Sequence, residues 1–363
     1  MSKKVRVGVI FGGRSGEHEV SLVSARNVIA ALKESGYSVV PIGITKEGAW
    51  LTGAQSLQML TAGKTTNLKP VLLKPEAKRA AISGIDIVFP VLHGPYGEDG
   101  TIQGLFEMLN IPYVGCGVNA SAAAMDKFTS KMIFESAGLP QVPYLHSTVH
   151  EYKKNPAKIH KEIERKLGMP CFVKPANMGS SVGVSKVHKS ADLAAAIHLA
   201  LRFDTSLIIE KSAHEAREIE CAVLGNEEPK ASVPAEIVPN NEFYDYKAKY
   251  VDDASQLFVP APITATQKKT IQKMAIQAFS ALQCSGMARV DFLLEKKSGK
   301  IYLNEVNTIP GFTKISMYPR MWLASGLTYP KLIGELIQLG LDRYAKRTKR
   351  SVTHDDAKDW YKA

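Results

Sequence analysis

Residues Met287 to Asn307 constrain the fold more than any other stretch of the chain. Two apolar, β-branched runs flank Lys296-Lys297-Ser298-Gly299, a pattern that predicts an antiparallel hairpin. With the turn centred on Ser298, Asp291 lies opposite Glu305 and Arg289 opposite Asn307, and strand alternation puts all four side chains on one face. Facing carboxylates repel. Val290, Phe292, Leu294, Ile301, Leu303 and Val306 are expected to make both faces greasy, so burial adds to the repulsion and the pair calls for a cation. Two carboxylates and one amide form an all-oxygen set suited to Mg²⁺, which commonly binds one or two carboxylates together with substrate phosphates. The competing reading is an exposed hairpin whose acids face water.

A chain of 363 residues is expected to form roughly two or three domains and can bury a large core without covalent staples. Its 45% hydrophobic and 22% charged residues are ordinary for a globular protein. Cys116, Cys171, Cys221 and Cys284 are far apart with no C-x-x-C pair, which argues against a zinc site or a disulfide framework and points to a reducing cytoplasm. The first residues run straight into a strand and a glycine turn, so no signal peptide is expected, and no run reaches membrane-spanning length. The net charge of +11 includes Arg343, Lys346, Arg347, Lys349 and Arg350. Without a recognition helix or a basic stripe interleaved with aromatics, this cluster reads as a solvated tail, and no nucleic-acid or membrane partner is expected.

Strand, glycine turn and helix follow one another from Val5, with further strands at 38–44 and 85–92, which predicts an N-terminal parallel-sheet, Rossmann-like α/β domain over residues 1–125. A smaller α+β unit is expected over 126–215, including a helix at 126–137, a strand at 171–175, another at 183–187, a helix capped by Ser190 and a strand at 207–211. A third domain, 216–363, would hold a strand at 217–224, a helix at 265–282, the opening hairpin and a last helix from Tyr329. Its polar segment at about 239–259 has no sustained period, as expected of an active-site lid or binding loop.

Lys174 to Gly183 joins two short strands, and its backbone N–H groups and the hydroxyls of Ser180 and Ser181 can wrap an anion. It lacks the G-K-[ST] ending of a P-loop, and a plain Gly/Ser turn is the alternative. Gly12-Gly13-Arg14-Ser15-Gly16 has the wrong spacing for a dinucleotide fingerprint, which counts against an NAD-dependent oxidoreductase. Glu17 would suit a ligand ammonium, or would simply favour the helix start. His93 follows the third strand at the sheet edge where ligands bind, and is either a ligand contact or a satisfied structural histidine. Arg289 could stabilise developing negative charge, or could balance Asp291 or Glu305.

Taken in order, Gly12 to Ser21, Leu92 to Gly100, Lys174 to Gly183, Tyr244 to Tyr250, Ala288 to Asp291 and Asn304 to Thr313 strongly resemble the D-alanine:D-alanine ligases of the ATP-grasp superfamily. The resemblance reaches to about residue 345. It implies a three-domain ATP-grasp fold that uses ATP and two Mg²⁺ ions, with Mn²⁺ able to substitute, to join two D-alanines through a D-alanyl phosphate for peptidoglycan precursor synthesis. By the same resemblance Lys127 and Lys174 would contact phosphates, and Ser180 and Ser181 would belong to the phosphate loop. Glu210, Lys211 and Ala213 would receive adenine, Glu218 would hold the ribose hydroxyls, and Asp291, Glu305 and Asn307 would ligate the metals. Glu17 would take the first substrate's ammonium in a set with Ser180 and Tyr250. Arg289 and the Gly311 N–H would stabilise the tetrahedral oxyanion, and Ser316 with Met317 would hold the second carboxylate. Lys249, on the nucleotide, and Tyr250 would belong to a lid that keeps water from the acyl phosphate.

The family suggests a homodimer. Ile315 stands where some relatives carry a polar residue, so the second-substrate pocket is expected to differ in detail. Tyr250 matches ligases that use an amine as second substrate, which leaves D-alanine:D-lactate (depsipeptide) synthesis as the near alternative and a non-catalytic nucleotide-binding module as the more distant one.

Overall fold

The computed structural model describes residues 4–65, 68–71, 84–238, 256–313 and 315–351. In chain order it begins with β1 (Arg6–Gly12), α1 (His18–Glu34), β2 (Ser38–Ile44), β3 (Trp50–Thr52), α2 (Ser56–Thr61), β4 (Lys69–Pro70), β5 (Ile87–Val91), α3 (Thr101–Met108) and α4 (Val118–Met125). The first sheet has the order β4-β3-β2-β1-β5. β1 pairs in parallel with β2 and β5, as the strand–turn–helix alternation predicts, but β3 and β4 add an antiparallel edge. Those two edge strands are too short to leave a periodic signal. α1 buries Val20, Leu22, Ala25, Val28, Ala31 and Leu32, the stripe that a 3.6-residue period sets on one face.

A second sheet, ordered β6-β9-β7-β8 and wholly antiparallel, follows α5 (Lys127–Ser136). Its elements are β6 (Tyr144–Thr148), α6 (Val149–Lys154), α7 (Pro156–Lys166), β7 (Cys171–Pro175), β8 (Ser185–Val187), α8 (Leu193–Ala200) and β9 (Ser206–Lys211). Asn155 accepts from the Lys158 N–H, with Pro156 behind it in the first turn of α7, a start in which the missing proline N–H costs nothing. The expected cap at Ser190 is not made: Ser190–Asp192 form a single 3₁₀ turn, and α8 starts after it without a side-chain cap.

The third sheet is antiparallel and carries β10 (Ala216–Gly225), β11 (Lys230–Ala231), β12 (Ala235–Val238), β13 (Gln256–Phe258), α9 (Ala265–Ala281), β14 (Gly286–Glu295) and β15 (Ile301–Asn307), followed by α10 (Met317–Ala324) and α11 (Tyr329–Arg347). Thr264 and Gln267 close a capping box on α9, a device that contributes about 1 kcal/mol. Side chains of the first sheet, α1, the third sheet, α10 and α11 share one core. α11 is the brace. Leu332, Ile333, Leu336 and Ile337 face that core, and a Cβ on Gly340 would lie 2.8 Å from the Tyr113 carbonyl oxygen, so only glycine lets the helix come this close.

The reading of the C-terminal cations as a solvated tail is corrected here. Arg343 lies 4.0 Å over the Tyr113 ring and donates to the Tyr113 carbonyl, and Arg347 pairs with Glu107. Both residues lie on α11, and their docking onto Glu107 of α3 and onto Tyr113 beyond it was invisible in a run read only for charge. Lys346, exposed and paired with Glu227, does behave as a surface cation. Among the described residues no helix is long and apolar enough to cross a membrane.

Candidate active site

β14 and β15 form the predicted hairpin with the predicted pairs, Asp291 opposite Glu305 and Arg289 opposite Asn307. One detail differs. A bulge after Asp291 pairs Phe292 with Leu303, leaving Asn304 as the extra residue, so the turn-proximal register is displaced by one from a centre at Ser298. The bulge flips strand parity between Leu303 and Glu305. As a result Ile301, Leu303 and Val306 all join Val290, Phe292 and Leu294 in the core, while Asn304, Glu305 and Asn307 line a cleft. Only one face is greasy, which corrects the expectation that both would be.

The cleft has a volume of about 880 Å³ and lies where the three sheets meet. On its floor Glu220 of β10, Asp291 and Glu305 stand in a row across three strands. Arg289 Nε and Nη2 donate to Asp291 at 2.7 and 2.6 Å, and Nε lies 3.1 Å from Glu220. Asn307 Nδ2 donates to Asp291 at 3.0 Å, and Lys127 Nζ lies 3.9 Å from Glu305. Burial works against the Arg289 charge, but Asp291 and Glu220 outweigh it and hold its guanidinium well above the usual range. Arg289 therefore balances the acids, and it also lines the cleft. As for a metal, the oxygens of Asp291, Glu305 and Asn307 share one partly buried face beside two lysines, and this hard, anionic set fits Mg²⁺.

From the second sheet, Lys174 to Gly183 connects β7 and β8. Ser180 and Ser181 have φ of 51° and 58°, left-handed values that curl the chain so that successive N–H groups can converge. Lys127 Nζ holds the Met178 carbonyl at 2.6 Å. Lys174 and Lys131 flank Glu210 at 2.5 and 2.6 Å. Burial alone would raise the Glu210 carboxyl, but the two lysines more than reverse this and hold it below the usual range. Lys211, Ala213 and Glu218 line the same end of the cleft.

From the first sheet, Glu17 at the start of α1 is buried and accepts a short hydrogen bond from Ser180 Oγ. A Cβ on Gly94 would lie 2.6 Å from Glu17 Oε2, so the glycine makes room for the carboxylate. Glu19, two residues on, instead pairs with Lys46 at the exposed rim. His93 Nδ1 lies 3.1 Å from the Ile309 carbonyl, which can only accept, so Nδ1 carries the proton and Nε2 faces the Ser24 hydroxyl at 3.1 Å. Burial pushes this histidine below its ordinary value. His93 is thus a satisfied side chain that also lines the cleft.

Glu98 belongs to the Leu92–Gly100 stretch, but its place in the site depends on contacts that the stretch itself does not reveal. Its carboxyl accepts from the Gly94 N–H at 2.8 Å and the Ile309 N–H at 3.2 Å, and burial, followed by Glu17, pushes it up to about 8. Together His93 and Glu98 grip both polar groups of Ile309 and so hold the 309–313 turn. At that turn a Cβ on Gly311 would lie 2.7 Å from Ser316 Oγ, and Ser316 bonds the Thr313 N–H and hydroxyl ahead of Met317. Ile315 is exposed at the rim. Lys249, Tyr250 and most of the expected lid lie outside the described residues.

Two family models match the chain: D-ala D-ala ligase N-terminus over residues 6–116 and D-ala D-ala ligase C-terminus over 133–338. The chain belongs to the D-alanine–D-alanine ligase family. A D-alanine–D-alanine ligase of Heliobacterium modesticaldum is 50% identical, with 96% of this chain and 98% of that protein covered. Among solved structures, the D-alanine–D-alanine ligase of Coxiella burnetii has a TM-score of 0.83 at 35% identity, covering 96% of this chain and 97% of that one. VanG D-Ala:D-Ser ligase of Enterococcus faecalis has a TM-score of 0.83 at 38% identity, covering 93% and 100%. The mixed α/β, three-sheet architecture is accordingly the ATP-grasp fold of this family, and ligases of this kind generally use ATP and Mg²⁺. Arg26 and Glu220 line the cleft, and Lys131 pairs with Glu210 behind it, although no sequence motif contains these three residues.

Proposed function

We infer that this enzyme joins two D-alanines in an ATP-dependent, ADP-forming reaction that supplies D-alanyl-D-alanine for peptidoglycan. The Glu17–Ser180 contact carries the reading, because it brings an ammonium-binding carboxylate from the first sheet against the anion-wrapping loop of the second, above the acidic hairpin of the third. A carboxylate becomes a usable electrophile only once an oxygen is turned into a phosphate leaving group. Accordingly ATP gives its terminal phosphoryl group to the carboxylate of one D-alanine and leaves as ADP; the amine of the second, having lost its ammonium proton, then attacks the acyl carbon, and the C–O bond to inorganic phosphate breaks as the amide forms. When bound, the divalent metals neutralise charge on the transferring phosphoryl group.

The chain's residues divide the work. Lys127, Lys174, Ser180 and Ser181 hold the phosphates, Asp291, Glu305 and Asn307 hold Mg²⁺ or Mn²⁺, and Glu210, Lys211, Ala213 and Glu218 receive the nucleoside, with Lys249 from the lid. Glu17 orients the first D-alanine with Ser180 and Tyr250. Arg289 and the Gly311 N–H face the developing oxyanion, where fixed donors in a water-poor site are worth most. Ser316 and Met317 receive the second carboxylate, and His93 keeps the turn that carries them in place. We further propose three domains, 1–125, 126–215 and 216–363, and a homodimer. Phosphate release with D-alanine and Mg²⁺, followed by product mass with added D-lactate or D-serine, tests the assignment. D-Alanyl-D-alanine as the main product near neutral pH is expected; a mixed product, or no ADP formed, would overturn it.

A further inference from the structure

Lys131 is a buried cation that the proposed reaction does not use. It sits one helical turn after Lys127 on the same face of α5, with only 1% of its side chain exposed. Its Nζ lies 2.6 Å from Glu210 Oε1, while Lys174 Nζ lies 2.5 Å from the other oxygen, Oε2. Lys127, Lys174 and Glu210 line the cleft, and Lys131 stands behind them, 5.2 Å over the Tyr144 ring, with Gln141 Nε2 donating to its main-chain carbonyl.

A buried carboxylate needs a partner, and Lys174 alone would supply one. A second buried lysine is a further desolvation cost, so its presence calls for a task. With Lys174 alone, Glu210 would form a neutral pair, and the carboxylate would cancel much of the pull of Lys174 on an anion in the cleft. With Lys131 on the far oxygen, the three groups carry one surplus positive charge, and the lysine that faces the cleft presents it. The geometry points to Lys131 as a positioning residue for the nucleotide phosphates: by engaging Glu210 from behind, it leaves Lys174 a net cation at a fixed place. This role rests on the ATP reading of the cleft.

The test is Lys131→Met, with Lys131→Arg as the conservative variant. Lys131→Met is expected to raise the KM for ATP about tenfold or more and to leave that for D-alanine within about twofold, as loss of one member of a buried charge cluster implies. Lys131→Arg should recover most of the loss. Calorimetric titration should show ADP affinity falling clearly more than adenosine affinity, because Glu210, on the nucleoside side, keeps Lys174 as a partner while the surplus charge facing the phosphates is lost. In a Glu210→Gln background, where no carboxylate competes for Lys174, Lys131→Met should add little. Equal losses for ADP and adenosine would assign Lys131 a merely structural role and overturn the proposal, as would an unchanged KM for ATP. If Lys131→Met does not fold, Glu210→Gln is compared with Glu210→Gln/Lys131→Met, and a large further loss of ADP affinity in the double variant overturns it. A wild-type protein that binds ADP but makes no dipeptide would sink the ligase reading, and the titrations would still decide the role of Lys131.

Discussion

Two hairpins line the cleft, β14–β15 with strands of ten and seven residues and β7–β8 with strands of five and three. The long hairpin buries Val290, Phe292, Leu294, Ile301, Leu303 and Val306 beneath its charged face. The short one pairs only from Cys171↔Val187 to Val173↔Ser185, and its connecting loop, curled by left-handed residues at Ser180, Ser181 and Gly183, remains half-buried. The difference separates two demands on a phosphoryl-transfer site. Charges that must meet a transition state without reorganising belong on the deeply rooted element. A loop that must admit ATP and release ADP belongs where few buried apolar contacts oppose local opening.

The largest expected effect tests the rooted side. Arg289→Met leaves Asp291 and Glu220 without their shared cation, and breaking a buried ion pair from one side costs about 3–5 kcal/mol. Turnover should fall by roughly two to three orders of magnitude if the guanidinium also meets the oxyanion. Thermal unfolding and steady-state kinetics on one sample check both. A variant with unchanged melting would mean that the acids relax into water and that the hairpin is not the fixed element.

How much of this was legible beforehand follows the same divide. The long hairpin announced itself through period-two alternation around a turn, and the pairs at Asp291 and Arg289 followed from counting. The bulge did not, because an inserted residue such as Asn304 has no compositional mark and is read only against its partner strand. Glu220 was missed for a related reason. It lies beside Asp291 through the register of β10 with β14, a relation about seventy positions apart in sequence that local patterning cannot supply. Glu98 is bonded by the Ile309 N–H, 211 positions away, and Lys131 owes its place to Glu210 on β9, a strand that follows three further helices. The parallel strands of the first sheet were plain as apolar runs, whereas the docking of Arg343 and Arg347 depended on the packing of a whole helix.

A smaller effect concerns the turn at the end of the long hairpin, which Glu98 ties to the first sheet. Burial holds its carboxyl above the usual 4.5, at about 8, so folding favours the protonated form. Its contribution to stability is complete below the unfolded value, and it declines as pH rises through about 8. Unfolding followed from pH 5 to pH 9 should show stability falling across that window in the wild type and a flatter profile in Glu98→Gln. The same slope in both proteins would transfer the effect to another group and remove Glu98 from the anchorage of the turn.

The smallest expected change in stability tests the lightly held side. Ser180→Ala removes one donor to the buried Glu17 carboxylate, and the loop around it contributes little to any core, so the loss should be about 1 kcal/mol. Turnover should respond far more strongly under the proposed function, in which Ser180 joins the carboxylate that orients the first substrate to the loop that holds the phosphates, and a misplaced reactant costs roughly a hundredfold in rate. The two hairpins would then show different profiles, with Arg289→Met failing in both stability and rate and Ser180→Ala chiefly in rate. If Ser180→Ala instead unfolds as readily as Arg289→Met, the loop is part of the scaffold. In that case opening for nucleotide exchange must occur somewhere other than the β7–β8 connection.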